Sequence, residues 1–361
     1  MVCLLTSIHP EGRRSAGSEV TRAIIRHLQA YGFAVNHVQV AARPSRLAAY
    51  LPWFVRTTLD ALWPGVALRL VDPQHGPIIA FESEGMRAAL DLARTRKCLI
   101  IVPDMPAARV RHTLAGNRAA ASSVKANLTS LLESHLMRRI FRRAPLAAFA
   151  VYGSQHKADI ENRFAIPVID LRPQLDITPT VDDALLESSQ ARPLRLVFGG
   201  SLTGTASRLA AIDLAGVLSV NTEMQLTVAG MGAVDFSCYL PERSTPVEIV
   251  ENPPDFEKVL ARSDVFLMLG DYPVGVRTRI LSALAAGNIV IAHEAVYAGM
   301  PELRTCASLF AYQSVSQVPE ILARIESGPR AELRRTSVRF WREHYTLERT
   351  MAPILEWLRS Q

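Results

Sequence analysis

The segment Gly275-Val-Arg-Thr-Arg-Ile-Leu-Ser-Ala-Leu-Ala-Ala-Gly287 and the apolar run Asn288-Ile-Val-Ile-Ala292 that follows it decide how this chain folds. A glycine-bearing loop leads into small and aliphatic residues typical of a short helix, and a second glycine suits the end of that helix. The apolar run is typical of a buried strand. This order of elements predicts an α/β fold with a parallel sheet covered by helices.

The loop before this helix follows another strand-like run, Asp264-Val-Phe-Leu-Met-Leu269. The amides at the start of the helix are then expected to face the crevice at the carboxyl edge of the sheet. Arg277 and Arg279 add two permanent charges suited to bidentate phosphate contacts, and Thr278 adds a hydroxyl donor. The pattern indicates an anion site. The alternative is two solvated arginines, although cations at a helix N-terminus oppose its dipole unless an anion lies between them.

Strand-like runs alternate with helical patterns along both halves of the chain, which predicts a duplicated, doubly wound architecture. The expected strands lie near residues 2–7, 33–40, 77–82, 98–103, 147–152 and 167–171, and near 195–199, 224–229, 247–250, 264–269, 288–292 and 307–311. The predicted domains are 1–172 and 195–330, with a polar, proline-containing linker at 173–194 and two amphipathic helices at 331–361.

Length and composition exclude several classes of protein. A chain of 361 residues is too long for one ordinary core, and 49% apolar with 20% charged residues is normal for a globular protein. No apolar run approaches the roughly 20 residues needed to span a bilayer, so we expect a cytoplasmic protein. The cysteines at 3, 98, 238 and 306 lack metal-ligand spacing, and we expect no metal site.

The charge is unevenly distributed. Residues 1–180 contain 23 Lys and Arg against 13 Asp and Glu, a balance of +10, whereas the remainder contains 17 against 21, a balance of −4. A basic half favours an anionic partner. Aromatic residues make up only 7% of the chain and form no basic-aromatic stripe, which argues against nucleic acid. The apolar stretch 51–63 and the arginine-rich stretch 137–144 suit a membrane surface, or else a core helix and a solvated basic face.

The central segment resembles the pattern G-x-R-x-K-x-x-E-A-x-A-x-G of the nucleotide-sugar half of GT-B glycosyltransferases, close to glycosyltransferase family 4. Arg279 stands where this family usually has Lys, and Ser282 stands where it usually has Glu. Further similar motifs follow in family order: Gly17-Ser-Glu19 resembles G-G-x-E, and the strands with their loops at 196–202 and 226–232 resemble the family's donor-side strands.

This resemblance implies two doubly wound Rossmann-like domains facing a cleft, with the last helix crossing back to the first domain. It implies a nucleoside-diphosphate sugar as donor substrate and no separate cofactor. The donor site would use Gly17, Gly200, Ser201, Arg277, Thr278, Arg279 and Ser282. The family's Glu accepts hydrogen bonds from ribose hydroxyls, and Ser282 has a shorter reach and no charge.

Catalytic side chains are expected in first-domain loops that follow strands. Glu82 and Glu84 follow one predicted strand, and Asp104 follows the next. A carboxylate there can position or deprotonate an acceptor hydroxyl, or it can simply cap or solvate a loop. The resemblance favours retention of configuration, in which the leaving diphosphate takes the proton and arginines supply electrostatic stabilisation.

These expectations describe a hexosyltransferase that moves a sugar from a nucleoside-diphosphate sugar to a glycan or lipid-linked acceptor, at the inner face of the membrane or free in the cytoplasm. Ser282 and the absence of a strong base keep two alternatives open. One is a GT-B-fold partner-binding or regulatory subunit without transferase activity, and the other is a nucleotide-sugar epimerase.

Overall fold

The computed structural model describes residues 1–6, 16–39, 76–81, 92–102, 145–164, 167–179, 192–202, 210, 213–215, 217, 224–240, 247–270 and 276–361. The chain divides into two compact units. The first consists mainly of Met1–Asp176 together with Leu347–Gln361, and the second mainly of Ile177–Pro273 together with Arg277–Thr346. The domain boundaries and linker expected from the sequence stay a prediction.

Twelve strands lie within the described residues, each close to a position expected from the sequence. They are β1 (Val2–Thr6), β2 (Val35–Gln39), β3 (Ile78–Phe81), β4 (Cys98–Val102), β5 (Ala147–Tyr152), β6 (Val168–Leu171), β7 (Arg195–Ser201), β8 (Gln225–Met231), β9 (Val247–Glu251), β10 (Val265–Met268), β11 (Ile289–His293) and β12 (Leu309–Tyr312).

The described helices connect these strands or close the chain. They are α1 (Ala16–Ala30), α2 (Ser154–Phe164), α3 (Ala233–Ser237), α4 (Phe256–Ala261), α5 (Thr278–Ala285), α6 (Val296–Gly299), α7 (Val318–Ser327), α8 (Arg330–His344) and α9 (Leu347–Arg359), with short 3₁₀ turns at Pro301–Thr305 and Val315–Gln317.

The first unit contains a parallel sheet in the order β2-β1-β3-β4-β5-β6. Its inner strands are continuous apolar runs; every residue of β1, β3 and β4 is buried, as expected for strands covered on both faces. The strand order reverses between β1 and β3, where Thr6 pairs with Phe81 at the carboxyl edge. This is the switch point of a flavodoxin-like order.

The last helix of the chain, α9, packs on α1 and β6 of the first unit. A buried glutamine ties this helix to the sheet: Tyr152 donates a hydrogen bond to Oε1 of Gln174 at 2.8 Å, and Nε2 of Gln174 donates to the carbonyl of Thr350 at 3.1 Å. Because Gln174 is fully buried, these bonds are required to satisfy its amide.

The second unit contains a parallel sheet in the order β12-β11-β10-β7-β8-β9. Numbered from its own first strand, this is the 3-2-1-4-5-6 order of a classic Rossmann domain. One core cluster covers one face of this sheet, with alternate residues Val265 and Leu267 of β10 and Ile289 and Ile291 of β11 packed against α7. The expectation of two doubly wound Rossmann-like domains is therefore confirmed.

Candidate functional site

The second sheet has its switch point between β7 and β10. β7 pairs with β10 on one side and with β8 on the other, so the connections after β7 and β10 leave the sheet in opposite directions. In open α/β sheets, ligands bind in the crevice at the carboxyl ends of the strands at such a point. The loop after β10 leads into α5, which together with its N-cap Arg277 carries four of the seven residues expected to bind the donor.

Glycines keep the carboxyl ends of β7 and β8 free of side chains. Gly200 has a φ of 129°, and a Cβ added to it would lie 1.8 Å from Nη1 of Arg279. A Cβ on Gly230, whose φ is 138°, would lie 1.9 Å from the carbonyl oxygen of Gly200. Only glycine at both positions lets the two strands and the guanidinium of Arg279 approach this closely.

Arg279 reaches from the first turn of α5 to the end of β7. Its Nη1 donates a hydrogen bond to the carbonyl oxygen of Gly199 at 3.0 Å. Burial, together with the charge of Arg277, lowers the pKa of the Arg279 guanidinium to about 10, so the group is still protonated at neutral pH. Among the described residues, no carboxylate lies within ion-pair distance of it.

The N-terminus of α5 is strongly electropositive. Arg277 occupies the N-cap position without a side-chain capping bond, and the first turn contains no acidic residue. The helix dipole and the guanidinium of Arg279, which has no carboxylate partner among the described residues, place positive charge at this helix start and favour an anion there. The structure packs Arg279 against Gly200 and places Arg277 at the N-cap of the same helix, while the role of these residues in donor binding stays a prediction.

Thr278 and Ser282 lie one turn apart on the same face of α5, and both are partly exposed. The carbonyl of Ser282 accepts the amide of Ala286 at the end of the helix. The Ser282 hydroxyl has no hydrogen-bond partner within the part of the chain that the structure describes. It is therefore available to a ligand. Ser201 ends β7, but its side chain lies outside the described set.

The first unit holds the remaining predicted residues. Gly17 lies in the first turn of α1, after the segment that follows β1. β3 ends at Phe81 and β4 at Val102, and the three expected catalytic carboxylates, Glu82, Glu84 and Asp104, lie outside the described residues. Within the residues that are described, no group of three or more His, Cys, Asp or Glu side chains is arranged to hold a metal ion.

Glu251 has a structural partner that the sequence pattern does not reveal. Its carboxylate accepts the backbone amides of Gly232 at 2.8 Å and Val234 at 3.0 Å, which start α3. These bonds lower the pKa of Glu251. This carboxylate is thus already used to cap a helix.

A pair of aromatic side chains that the sequence pattern did not indicate lies at the ends of β11 and β12. His293 and Tyr312 are paired across the two strands with their rings 5.3 Å apart, and the hydroxyl of Tyr312 accepts the amide of Gly270 at 2.9 Å. The one sequence signal was that His293 is a polar residue directly after the apolar run.

No family model and no curated protein matches this sequence. Solved structures, however, match it over nearly the full length. One is sucrose-phosphate synthase from Thermosynechococcus elongatus, with 14% sequence identity and a TM-score of 0.68 over 99% of this chain and 98% of that one. Another is a glycosyltransferase from Rickettsia africae, with 10% sequence identity and a TM-score of 0.66 over 99% of this chain and 98% of that one. The third is HepE from Anabaena in complex with UDP-glucose (11%, 0.63, 100% of both chains).

At these identities the similarity establishes the fold. The two six-stranded parallel sheets, each flanked by helices, correspond to the two Rossmann-like domains of those enzymes. The resemblance read from the segment around α5 is thereby confirmed at the level of architecture: the chain has the GT-B fold of nucleotide-sugar-dependent glycosyltransferases.

Proposed function

We propose that this protein is a glycosyltransferase that takes a sugar from a nucleoside-diphosphate sugar. The observation that carries the proposal is Arg279, a charged side chain folded onto Gly200 at the switch point of the second sheet with no described acidic partner. Buried arginines ordinarily pair with a carboxylate. The missing counter-charge is the diphosphate of the donor.

The geometry around Arg279 suits a diphosphate. One N–H of its guanidinium is held by the carbonyl of Gly199, which sets the plane of the group and leaves the others for phosphate oxygens. Arg277, Thr278 and the first amides of α5 supply further donors from the positive end of the helix. Gly200 and the amide of Ser201 allow the phosphates to approach the backbone of β7 closely.

The fold supports the same class of donor, because a full-length structural match, HepE, is described in complex with UDP and with UDP-glucose. We propose that Ser282 contacts a ribose hydroxyl, that the transfer is of hexosyl type with retention, and that no cofactor or metal takes part. Glu82, Glu84 and Asp104 are proposed to act on the acceptor hydroxyl, and Gly17 is proposed to contact the donor.

The acceptor is proposed to be a glycan or a lipid-linked precursor. The basic first half of the chain, with a balance of +10 over residues 1–180, suits an anionic or membrane-bound acceptor at the cytoplasmic face of the membrane. A similar full-length structure, WaaG, is described as acting in lipopolysaccharide biosynthesis. None of the described helices is long and apolar enough to cross a membrane.

Calorimetry with UDP, GDP and ADP tests the donor site. We expect one nucleoside diphosphate to bind, and Arg279→Ala to weaken it by about tenfold or more, since charge-assisted hydrogen bonds contribute about 1.5–3 kcal/mol. Arg339→Ala is the matched control, because Arg339 is an exposed arginine of the same unit paired only with Glu332 in the structure. Equal affinity for wild type and Arg279→Ala would reject the site.

Turnover of the corresponding nucleotide sugar separates the remaining alternatives. A transferase releases nucleoside diphosphate faster when acceptor is added. An epimerase changes the sugar without an acceptor. A partner-binding subunit binds no nucleotide; the presence of Ser282 where the family has Glu would favour this alternative.

A further inference from the structure

His293 is held rigidly at the carboxyl edge of the second sheet. It is the last residue of β11, and its backbone pairs with Tyr312 of β12. The two rings meet edge to face at 85°, and the Tyr312 hydroxyl is in turn bound to the amide of Gly270, the residue that precedes the loop to α5. The imidazole therefore packs against a tyrosine ring that is itself held by the backbone after β10.

The same surroundings determine which nitrogen of His293 carries the proton. The amide of Ala295 donates a hydrogen bond to Nδ1 at 3.1 Å, so Nδ1 is an acceptor. In the neutral imidazole the hydrogen then resides on Nε2. Nε2 has no acceptor among the residues that the structure describes, and the side chain is partly exposed. The Nε2–H is thus a preorganised hydrogen-bond donor without a partner among the described residues.

The position of His293 relates it to the diphosphate site. β11 is two strands from β7, so the ends of these strands are about 10 Å apart at the usual spacing. Ile289, Ile291 and His293 alternate on one face of β11, and the first two belong to the core shared with α7. The buried residues of α5 do not belong to that cluster. α5 and Ser282 therefore lie on the other face.

A donor molecule whose diphosphate sits at Arg279 therefore has Ser282 on one side of the sheet edge and His293 on the other. The arginines already neutralise the phosphates, whereas an uncharged imidazole N–H matches a sugar hydroxyl. Near His293, the exposed Glu294 and Gln313 are joined by a hydrogen bond of 2.8 Å and add further polar groups. Such a set of groups suits a ring that carries hydroxyls.

We propose that His293 is a specificity-determining residue that donates a hydrogen bond from Nε2 to a hydroxyl of the transferred sugar. This inference rests on the proposed function. It predicts a contact made by the nucleotide sugar and not by the nucleoside diphosphate alone. The comparison of these two ligands is therefore the diagnostic measurement.

Calorimetry measures the affinities of three pairs of ligands: UDP and UDP-glucose, GDP and GDP-mannose, and ADP and ADP-glucose. Each pair is measured with wild type, His293→Ala and His293→Gln. For the pair that binds, we expect His293→Ala to weaken the nucleotide sugar by about three- to tenfold and to leave the diphosphate within about twofold. His293→Gln retains an N–H at the position of Nε2 and should recover most of the loss. Thermal melting identifies any variant that is unfolded. If His293→Ala is unfolded, the comparison of wild type with His293→Gln still tests the proposal.

Glu326→Gln is the control, because Glu326 is an exposed carboxylate on α7 of the same unit and is not among the groups near His293; it should leave the ratio of the two affinities as in wild type. Equal loss of diphosphate and nucleotide sugar in His293→Ala, or no loss of either, overturns the assignment of His293 while the proposed function stands. If wild type binds neither ligand of any pair, the proposed function fails, and the role of His293 fails with it.

Discussion

Asp264 and Arg334 form an ion pair of 2.9 Å inside the second unit, with side chains 0% and 1% exposed. Arg192 binds both carboxylate oxygens of Asp264 at 2.6 and 2.8 Å, and the Nε of Arg334 donates to the carbonyl of Gly287 behind α5. The carboxylate of Asp264, at the start of β10, thus binds both Arg192, which precedes β7, and Arg334 of α8. Through the bond of Arg334 to Gly287, α8 also contacts the end of α5, the helix that presents Arg279.

Asp264→Ala is expected to destabilise the protein by about 3–5 kcal/mol, because it leaves the buried Arg334 without a counter-charge. Urea unfolding followed by circular dichroism measures this change. Glu332→Ala removes an exposed partner of Arg339 and should alter stability by only about 0.5 kcal/mol or less. Similar losses for the two variants would show that the buried pair has no special role.

Gly200→Ala is expected to abolish tight nucleoside-diphosphate binding, because the new Cβ would occupy the position of the Arg279 guanidinium. Calorimetry should give a loss comparable to that of Arg279→Ala, with a stability cost of about 1–3 kcal/mol from the backbone strain. Gly32→Ala is the control: Gly32 also has a positive φ, 81°, but nothing lies within 4 Å of its added Cβ. Binding by Gly200→Ala at wild-type affinity would contradict the packing of Arg279 on Gly200.

Ser282→Glu is expected to tighten nucleoside-diphosphate binding by roughly two- to tenfold, since a carboxylate can accept hydrogen bonds from both ribose hydroxyls where a serine offers one short contact. Ser282→Gln has the same length without the charge and should gain less. Calorimetry compares the three proteins, and thermal melting shows whether the longer side chains are accommodated. A well-folded Glu variant with weaker binding than the Gln variant would argue against a ribose at this position.

The stability of the first unit is expected to fall as pH decreases below about 6.5, the ordinary pKa of histidine. Burial lowers the pKa of His27, an effect opposed by the charges of Glu348 and Asp176. Because the unfolded chain then binds the proton more tightly than the folded one, the stabilisation is present above the ordinary pKa and is lost as pH falls towards the lowered one. Unfolding at pH 8 and pH 5 should show a smaller difference in His27→Gln than in wild type. An unchanged difference would exclude His27 as a source of the effect.

The elements of this fold could be predicted well because each has a local cause. A strand buried on both faces must be apolar throughout, and the runs at β4 and β11 are visible for that reason. The small and aliphatic residues of α5 predict a helix. Gly287 predicts the end of that helix, and it has a φ of 71° in the structure. Arg277 and Arg279 were singled out by their place at a glycine-loop helix start, and Gly200 by the family resemblance; their role in donor binding stays a prediction.

Other features depend on partners that are distant along the chain. In the sequence, Asp264 is typical of a residue that starts a strand. Arg334, which lies 70 residues later in the chain, binds its carboxylate in the folded protein and makes Asp264 the centre of a buried ionic network. Nothing in the sequence near Glu251 indicates its partner, yet its carboxylate caps α3, which follows the neighbouring strand β8. A hydrogen bond or ion pair is chosen by proximity in space, and proximity between strands is set by their order in the sheet.

The amino-acid sequence by itself determined the strands, the described helices and their repetition in two halves, because these follow from hydrophobic periodicity and local backbone chemistry. The tertiary structure decided that β7 lies between β8 and β10, that Arg279 folds onto Gly200, and that Nε2 of His293, beside Tyr312, has no hydrogen-bond partner among the described residues. These relationships arise only when strands from distant parts of the chain pair, since pairing selects which side chains share an edge of the sheet.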